Sequence, residues 1–255
     1  MTATETVIRV EHRDGICVFS LARPPVNAIN LDVLRQADAA LRDLEQRADL
    51  RAVILTGSGR CFSAGLDLKA IPAYSPADQR ETILMLNRVV TRLYRMCVPT
   101  VAAVNGHAIA GGLILALTCD YRIGTRAPCE LGLTEARVGI PFPAAPLAVA
   151  KTELAPAVMR RLMLTGRNID SQTALEQHVV DELEAPERVV PRALEVAQDL
   201  AAIPRDAFGR VKRQVRGEVT DRLGALMEAN TDPLLGDWLT TETSGAAQSM
   251  LRERR

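Results

Sequence analysis

The sequence carries no net charge: Lys+Arg and Asp+Glu both total 31. That balance leaves no electrostatic footprint for nucleic acid or an anionic membrane surface. Lysine is scarce, occurring only as Lys69, Lys151 and Lys212. No apolar run approaches the roughly 20 residues that cross a bilayer. The longest, residues 108–117, is too short. The opening MTATETVIRVEH lacks a basic stretch followed by an apolar one, so no signal peptide is expected and a cytoplasmic location is. The five cysteines (Cys17, Cys61, Cys97, Cys119, Cys129) are odd in number and form no CxxC pair. They read as reduced, buried side chains, and no metal site is expected.

What is present is a 255-residue chain, 47% hydrophobic, long enough for one large α/β core. Residues 7–11 alternate as a strand, and residues 16–21 follow a turn at Asp14-Gly15. Arg23-Pro24-Pro25 then breaks the sheet. Asn30 can cap a helix carrying Leu31, Leu34, Leu41 and Leu44 on one face. Residues 52–56 form a short apolar strand ending in Gly57-Ser58-Gly59. Pro76 starts a long helix with Ile83, Leu86, Val90, Leu93 and Cys97 at helical spacing, stopped by Pro99. Residues 100–104 form another apolar strand, and Gly111-Gly112 opens another helix. Strand, glycine loop and helix thus alternate, which argues α/β architecture. After Pro186 the strands vanish, and helical stretches punctuated by Pro191, Pro204, Gly217 and Pro233 run to the end.

Nucleotide motifs fail on inspection. Gly57 and Gly59 follow a strand, but Phe62 stands where a dinucleotide fingerprint needs its third glycine. Gly106 and Gly111 have phosphate-loop spacing, but Gly112-Leu113 replaces the required Lys-Ser/Thr. No GxSxG elbow and no HExxH pair occur. Two backbone-rich turns remain: Phe62-Ser63-Ala64-Gly65-Leu66-Asp67-Leu68, and Asn105 to Gly112. Glycines there let main-chain N–H groups approach a ligand. Gly111 would open a helix, where free N–H groups favour negative charge. Two such N–H groups converging would form an oxyanion hole. Composition alone favours simple connecting turns.

At these residues the chain resembles the crotonase superfamily of enoyl-CoA hydratases and isomerases. Phe62 to Leu68 is similar to the family's first oxyanion motif, and Ala102 to Gly112 to its second. Cys119-Asp120-Tyr121-Arg122-Ile123, the Arg23 to Asn30 segment, Leu164-Thr165-Gly166-Arg167 and the Val179–Asp181 stretch fit in order. The resemblance implies a ββα spiral core over residues 1–185 that binds coenzyme A and carries the chemistry. It implies a helical extension over 186–255 that closes the site and supports a homotrimer or homohexamer. It puts the oxyanion N–H groups on Leu66 and Gly111. It also implies acyl-CoA contacts from Ala64, Gly65, Asp67, Leu68, Ile114 and Lys212, the last near the CoA phosphates. CoA thioester is then the substrate, with no separate cofactor.

Hydratases of this family use two glutamates. The first position falls on Ile114 here, which carries no proton. The second, in a Glu-x-x-x-Gly stretch, falls on Glu135 before Gly139. One carboxylate suits double-bond isomerisation from a 3-enoyl-CoA to a 2-enoyl-CoA, with an apolar pocket raising the Glu135 pKa. The segments around Pro24, Ser63, Arg92 and Ala116 are most similar to mitochondrial-type Δ3-Δ2-enoyl-CoA isomerases. Other crotonase reactions (hydration, thioester hydrolysis, decarboxylation) and a non-catalytic CoA- or RNA-binding scaffold are the alternatives. The absence of a basic, aromatic stripe argues against RNA. His107 reads as structural, and His178 stands where the family usually has glycine, which implies either a left-handed cap that His tolerates or a local rearrangement.

Overall fold

The computed structural model describes residues 5–233. In chain order the elements are β1 (Ile8–Arg13), β2 (Ile16–Leu21), α1 (Leu31–Gln46), β3 (Ala52–Gly57), β4 (Cys61–Ser63), α2 (Pro76–Arg95) and β5 (Thr100–Val104). Then come β6 (His107–Ile109), α3 (Gly111–Leu117), β7 (Tyr121–Thr125), β8 (Glu130–Gly132), α4 (Glu135–Val138), α5 (Ala144–Glu153) and α6 (Pro156–Thr165). The described chain ends with β9 (Ile169–Asp170), α7 (Ser171–Glu176), β10 (Glu182–Glu184), α8 (Val189–Ala201) and α9 (Arg205–Glu228).

The strands form a six-stranded sheet in the order β1-β2-β3-β5-β7-β10 and a four-stranded sheet in the order β4-β6-β8-β9. Three successive strand–strand–helix units build both: β3-β4-α2, β5-β6-α3 and β7-β8-α4. The first strand of each unit joins the large sheet and the second joins the small one. This is the ββα spiral, the α/β fold that the motifs imply. The small sheet was not legible in the sequence, because its strands are three residues or fewer and too short to show alternation.

β1 and β2 pair antiparallel around Asp14 and Gly15, both at positive φ (49° and 80°), as a tight primed turn requires. The other large-sheet pairings are parallel. Burial on both faces explains the near-continuous apolar runs of β3 and β5. Ile16, Val18, Ala52, Ile54, Val101, Ala103 and Ile123 face α8, which covers that side with Val189, Ala193 and Val196. The alternate residues, such as Phe19, Leu55 and Val104, face the main core with α1, α2 and α3.

Asn30 caps α1 as expected, its side chain accepting from Val33 N–H at 2.9 Å, and Leu31, Leu34, Leu41 and Leu44 are buried. Cys97 departs from expectation: α2 ends at Arg95, and Cys97 is exposed whereas the other four cysteines are buried. Pro191 and Gly217 do not punctuate helices either. Pro191 lies in the first turn of α8, where its missing N–H costs nothing. Gly217 lies inside the 24-residue α9. His178 has φ 56°, which makes it a left-handed cap rather than a local rearrangement. Among the described residues no helix is long and apolar enough to cross a membrane. The expected helical stretch over residues 234–255, with its Arg252–Arg255 end, lies outside the described residues.

Candidate active site

β4, β6 and β8 are neighbours and run parallel. Their C-terminal ends therefore share one edge of the small sheet, and the loops leaving those ends converge there. Ser63 leads into Gly65-Leu66, Ile109 into Ala110-Gly111, and Gly132 into Thr134-Glu135. The topology brings together three segments that lie far apart in the sequence.

The first loop is held against Ile29. Ile29 N–H donates to the Gly65 carbonyl and Asp67 N–H donates to the Ile29 carbonyl, both at 2.8 Å. In this parallel bridge Gly65 and Asp67 face Ile29, so the Leu66 N–H points the other way. Gly65 has φ 79°, and a Cβ there would lie 2.7 Å from the Ile109 carbonyl oxygen and 3.0 Å from Gly111 N. Only glycine lets the two loops approach this closely.

Gly111 is the first residue of α3, so its N–H has no intrahelical acceptor. The preceding Ala110 sits at φ 52°, ψ −124°, a sparsely populated conformation for a residue with a Cβ. Its N–H donates to the Gly132 carbonyl at 2.7 Å, which ties the start of α3 to the strand that delivers Glu135. Among the described residues neither Leu66 N–H nor Gly111 N–H donates to a protein acceptor.

Glu135 opens the one-turn helix α4, which closes on Gly139 at φ 69°. The N–H groups of Gly139 and Ile140 both return to the Glu135 carbonyl. This explains the Glu-x-x-x-Gly spacing: a single turn needs a left-handed residue to end it. Val138 of this turn packs in one cluster with Ile71, Ile83 and Ile140, and Leu66 and Leu68 lie against it. The Glu135 Oε2 atom is buried and has no hydrogen-bond partner among the described residues. Desolvation pushes the carboxyl up to about 8, opposed only by its own backbone N–H.

A cavity of about 670 Å³ joins these pieces, lined by Ala64, Leu66, Asp67, Leu68, Gly111, Ile114 and Glu135 among others. Its walls are mostly apolar. Leu86, Val138, Ile140, Pro141, Pro143 and Pro146 contribute, while Phe142 turns into the core. Arg23, Pro24, Pro25 and Lys69 also border it. The expected contact residues thus gather in one place with two exceptions. Gly65 lies beneath the loop rather than on the cavity wall. Lys212 is not there at all.

Lys212 corrects the expectation of a phosphate contact. It lines a separate cavity of about 580 Å³ between α9 and the ends of α1 and α2. Its ammonium donates to Asp120 Oδ2 at 2.7 Å, to the Val98 carbonyl at 3.3 Å and to Thr100 Oγ1 at 3.4 Å. Burial pulls its pKa down, and Asp120 opposes that shift. Arg216 completes the cluster, reaching Asp120 at 3.0 Å and Glu153 at 3.1 Å with its guanidinium 4.1 Å from the centre of the Tyr94 ring. These are structural cations that fasten α9 to the core. The family resemblance puts Lys212 near the CoA phosphates, but the fold commits its charge to Asp120 inside the protein.

The cavity border also holds residues whose roles the sequence did not reveal. Arg23 pairs with Asp67 Oδ2 at 2.8 Å and donates to the Ala28 carbonyl at 3.1 Å. Asp67 Oδ1 accepts from Lys69 and Ala70 N–H, each at 3.1 Å. Asp67 is therefore fully engaged and orders the turn beyond the first loop. His107 does not line the cavity; it is exposed, and its Nδ1 accepts from Glu130 N–H at 3.1 Å.

Two unpartnered backbone amides facing an apolar cavity beside one buried, undersolvated carboxylate form a site suited to stabilising an oxyanion while a proton moves. Comparison with known proteins agrees with this class. A family model described as enoyl-CoA hydratase/isomerase matches residues 11–255. Mitochondrial enoyl-CoA delta isomerase 1 of Mus musculus is 32% identical over 226 residues, covering 88% of this chain and 78% of that protein. A probable enoyl-CoA hydratase of Mycobacterium avium is 32% identical, covering 79% of this chain and 78% of its own length. The crystal structure of human mitochondrial delta3-delta2-enoyl-CoA isomerase superposes with a TM-score of 0.89 at 30% identity, covering 98% of both chains. The chain belongs to the enoyl-CoA hydratase/isomerase family.

Proposed function

We propose that the protein isomerises 3-enoyl-CoA esters to 2-enoyl-CoA esters, with Glu135 as the single acid and base. The thioester carbonyl oxygen sits between Leu66 N–H and Gly111 N–H. The Glu135 carboxylate removes a proton from C2, and the electron pair moves into the carbonyl to give an enolate held by the two amides. The electrons then return through C2 and C3, the C3–C4 double bond opens, and C4 takes the proton back from Glu135. The double bond ends between C2 and C3. Atoms and charge balance with no water, no second acid and no cofactor, since the CoA ester is itself the substrate.

The observation that carries this reading is the contrast between Glu135 and Ile114. Both line the cavity. Ile114 is fully buried and apolar in the slot where hydration needs a second carboxylate. The other cavity carboxylates are differently placed: Asp67 is committed to Arg23 and two amides, and Glu5 is exposed at the rim. A pKa near 8 makes Glu135 a stronger base than an ordinary glutamate, yet leaves it able to return the proton. A non-catalytic scaffold gives no reason to leave the buried Glu135 Oε2 without a partner. The reading includes assembly into trimers or hexamers, supported by the exposed Val211 and Val215 one turn apart on α9.

The test is Glu135→Gln, which keeps the shape and removes the proton carrier. Isomerisation of a 3-enoyl-CoA should fall by about three orders of magnitude or more, while calorimetry still shows binding of the CoA ester. Turnover close to that of the parent would remove Glu135 from the mechanism.

A further inference from the structure

The helix α5 begins at Ala144 directly after the cavity-lining Pro143, and Pro143 supplies no side-chain cap. The orphan amides of its first turn are instead satisfied from afar. Ala144 N–H donates to Asp232 Oδ2 at 2.8 Å, and Ala145 N–H donates to Asn87 Oδ1 at 2.9 Å. Asn87 Nδ2 donates to the same Asp232 oxygen at 2.7 Å. Asp232 and Asn87 are both buried, at 3% and 7% exposure. One carboxylate beyond the end of α9 thus joins α2 to the start of α5, and a negative charge at that helix terminus is favourable.

Each partner in this cluster neighbours a cavity-lining residue. Leu86 precedes Asn87, Pro143 precedes Ala144, and Pro146 follows Ala145. These three side chains belong to the apolar wall remote from the Leu66 loop in sequence. We infer that Asp232 is a specificity-determining positioning residue: with Asn87 it fixes the wall formed by Leu86, Pro143 and Pro146, and so sets which acyl chains the cavity accepts. It touches no reacting atom. Its influence grows with the number of acyl carbons that reach the wall, since apolar contact accumulates with area.

The inference rests on the acyl-CoA reading, so its test uses binding without turnover. Saturated acyl-CoA esters from butyryl to palmitoyl are titrated into the full-length protein, Asp232→Ala and Asp232→Asn. In Asp232→Ala the ratio of palmitoyl to butyryl affinity should fall about tenfold relative to the parent. Asp232→Asn, which keeps an acceptor oxygen for both donors, should restore most of that ratio. A ratio unchanged in Asp232→Ala overturns the inference, whether or not all affinities drop together, because uniform loss is what a merely structural cap would give. If Asp232→Ala does not fold, Asp232→Glu displaces the same carboxylate by one methylene, and an unchanged ratio there is equally fatal. A parent protein that binds none of the esters defeats the acyl-CoA reading itself, and this inference falls with it.

Discussion

The Ser63 hydroxyl donates to the Asn27 carbonyl at 2.8 Å and accepts from Gly65 N–H at 3.2 Å. Asn27 in turn donates through Nδ2 to the Cys61 carbonyl at 2.7 Å and the Ser58 carbonyl at 2.9 Å. This buried lattice holds the peptide that presents Leu66 N–H. Ser63→Ala leaves the Gly65 N–H and the Asn27 carbonyl without their partner and lets the loop drift. We expect kcat to fall about tenfold, with KM changed far less, because a displaced oxyanion donor acts on the transition state. Steady-state kinetics with a 3-enoyl-CoA decides it, and an unchanged kcat would show that the loop is held by other means.

In the proposed isomerase mechanism Glu135 sets the pH dependence. The free enzyme must hold it ionised to accept the C2 proton, and desolvation raises its pKa to about 8. The kcat/KM profile should therefore climb about tenfold per pH unit at acid pH and level off above about 8. A midpoint near the ordinary glutamate value would mean that the cavity is more hydrated than its apolar walls suggest.

The same burial has a cost to the fold. The native pKa of Glu135 lies above the unfolded value, so between about 4.5 and 8 the native state binds more protons than the unfolded chain. Stability conferred by the neutral carboxyl is present at low pH and lost as pH rises through that window. Glu135→Gln has no such loss. Its melting temperature should match the parent near pH 4.5 and exceed it by several degrees above pH 8, corresponding to about 1–3 kcal/mol because solvent reaches the cavity. Thermal melts across pH that stay parallel would contradict this.

Lys212→Ala separates the structural role of that lysine from a substrate contact. It removes the partner of Asp120 inside the α9 cluster, and losing one member of a buried ion pair costs about 3–5 kcal/mol. The retained Arg216–Asp120 pair should limit the loss to the lower end. We expect a clear fall in melting temperature with KM for CoA esters unchanged in the folded fraction. A several-fold rise in KM at unaltered stability would restore Lys212 to the substrate site.

In the large sheet β2, β3 and β5 were readable as short apolar runs and β1 from its alternation, whereas β7 came from motif resemblance and the three-residue β10 was hidden. The α1 and α2 faces were readable from their periodicity and caps. The roles of Glu135, Leu66 and Gly111 came from motif resemblance, not from periodicity: Leu66 lies on a turn, Glu135 on a one-turn helix, and Gly111 is only the first residue of α3. The convergence of their three loops depends on β4, β6 and β8, whose shortness hides them. The clusters around Lys212 and Asp232 were hidden for another reason. Their partners lie tens of residues away, at Asp120 and at Asn87 and Ala144, and no local pattern announces a tertiary cap.

Central to the proposed mechanism is that one carboxylate moves a proton and no second one activates water. The most direct measurement supplies the purified protein with a 3-enoyl-CoA and, separately, with a 2-enoyl-CoA. A single-carboxylate site predicts conversion of the first to the conjugated 2-enoyl ester, and no 3-hydroxyacyl-CoA from the second. Rapid hydration of the 2-enoyl ester would contradict it, since the proposed mechanism gives the water no second carboxylate to activate it.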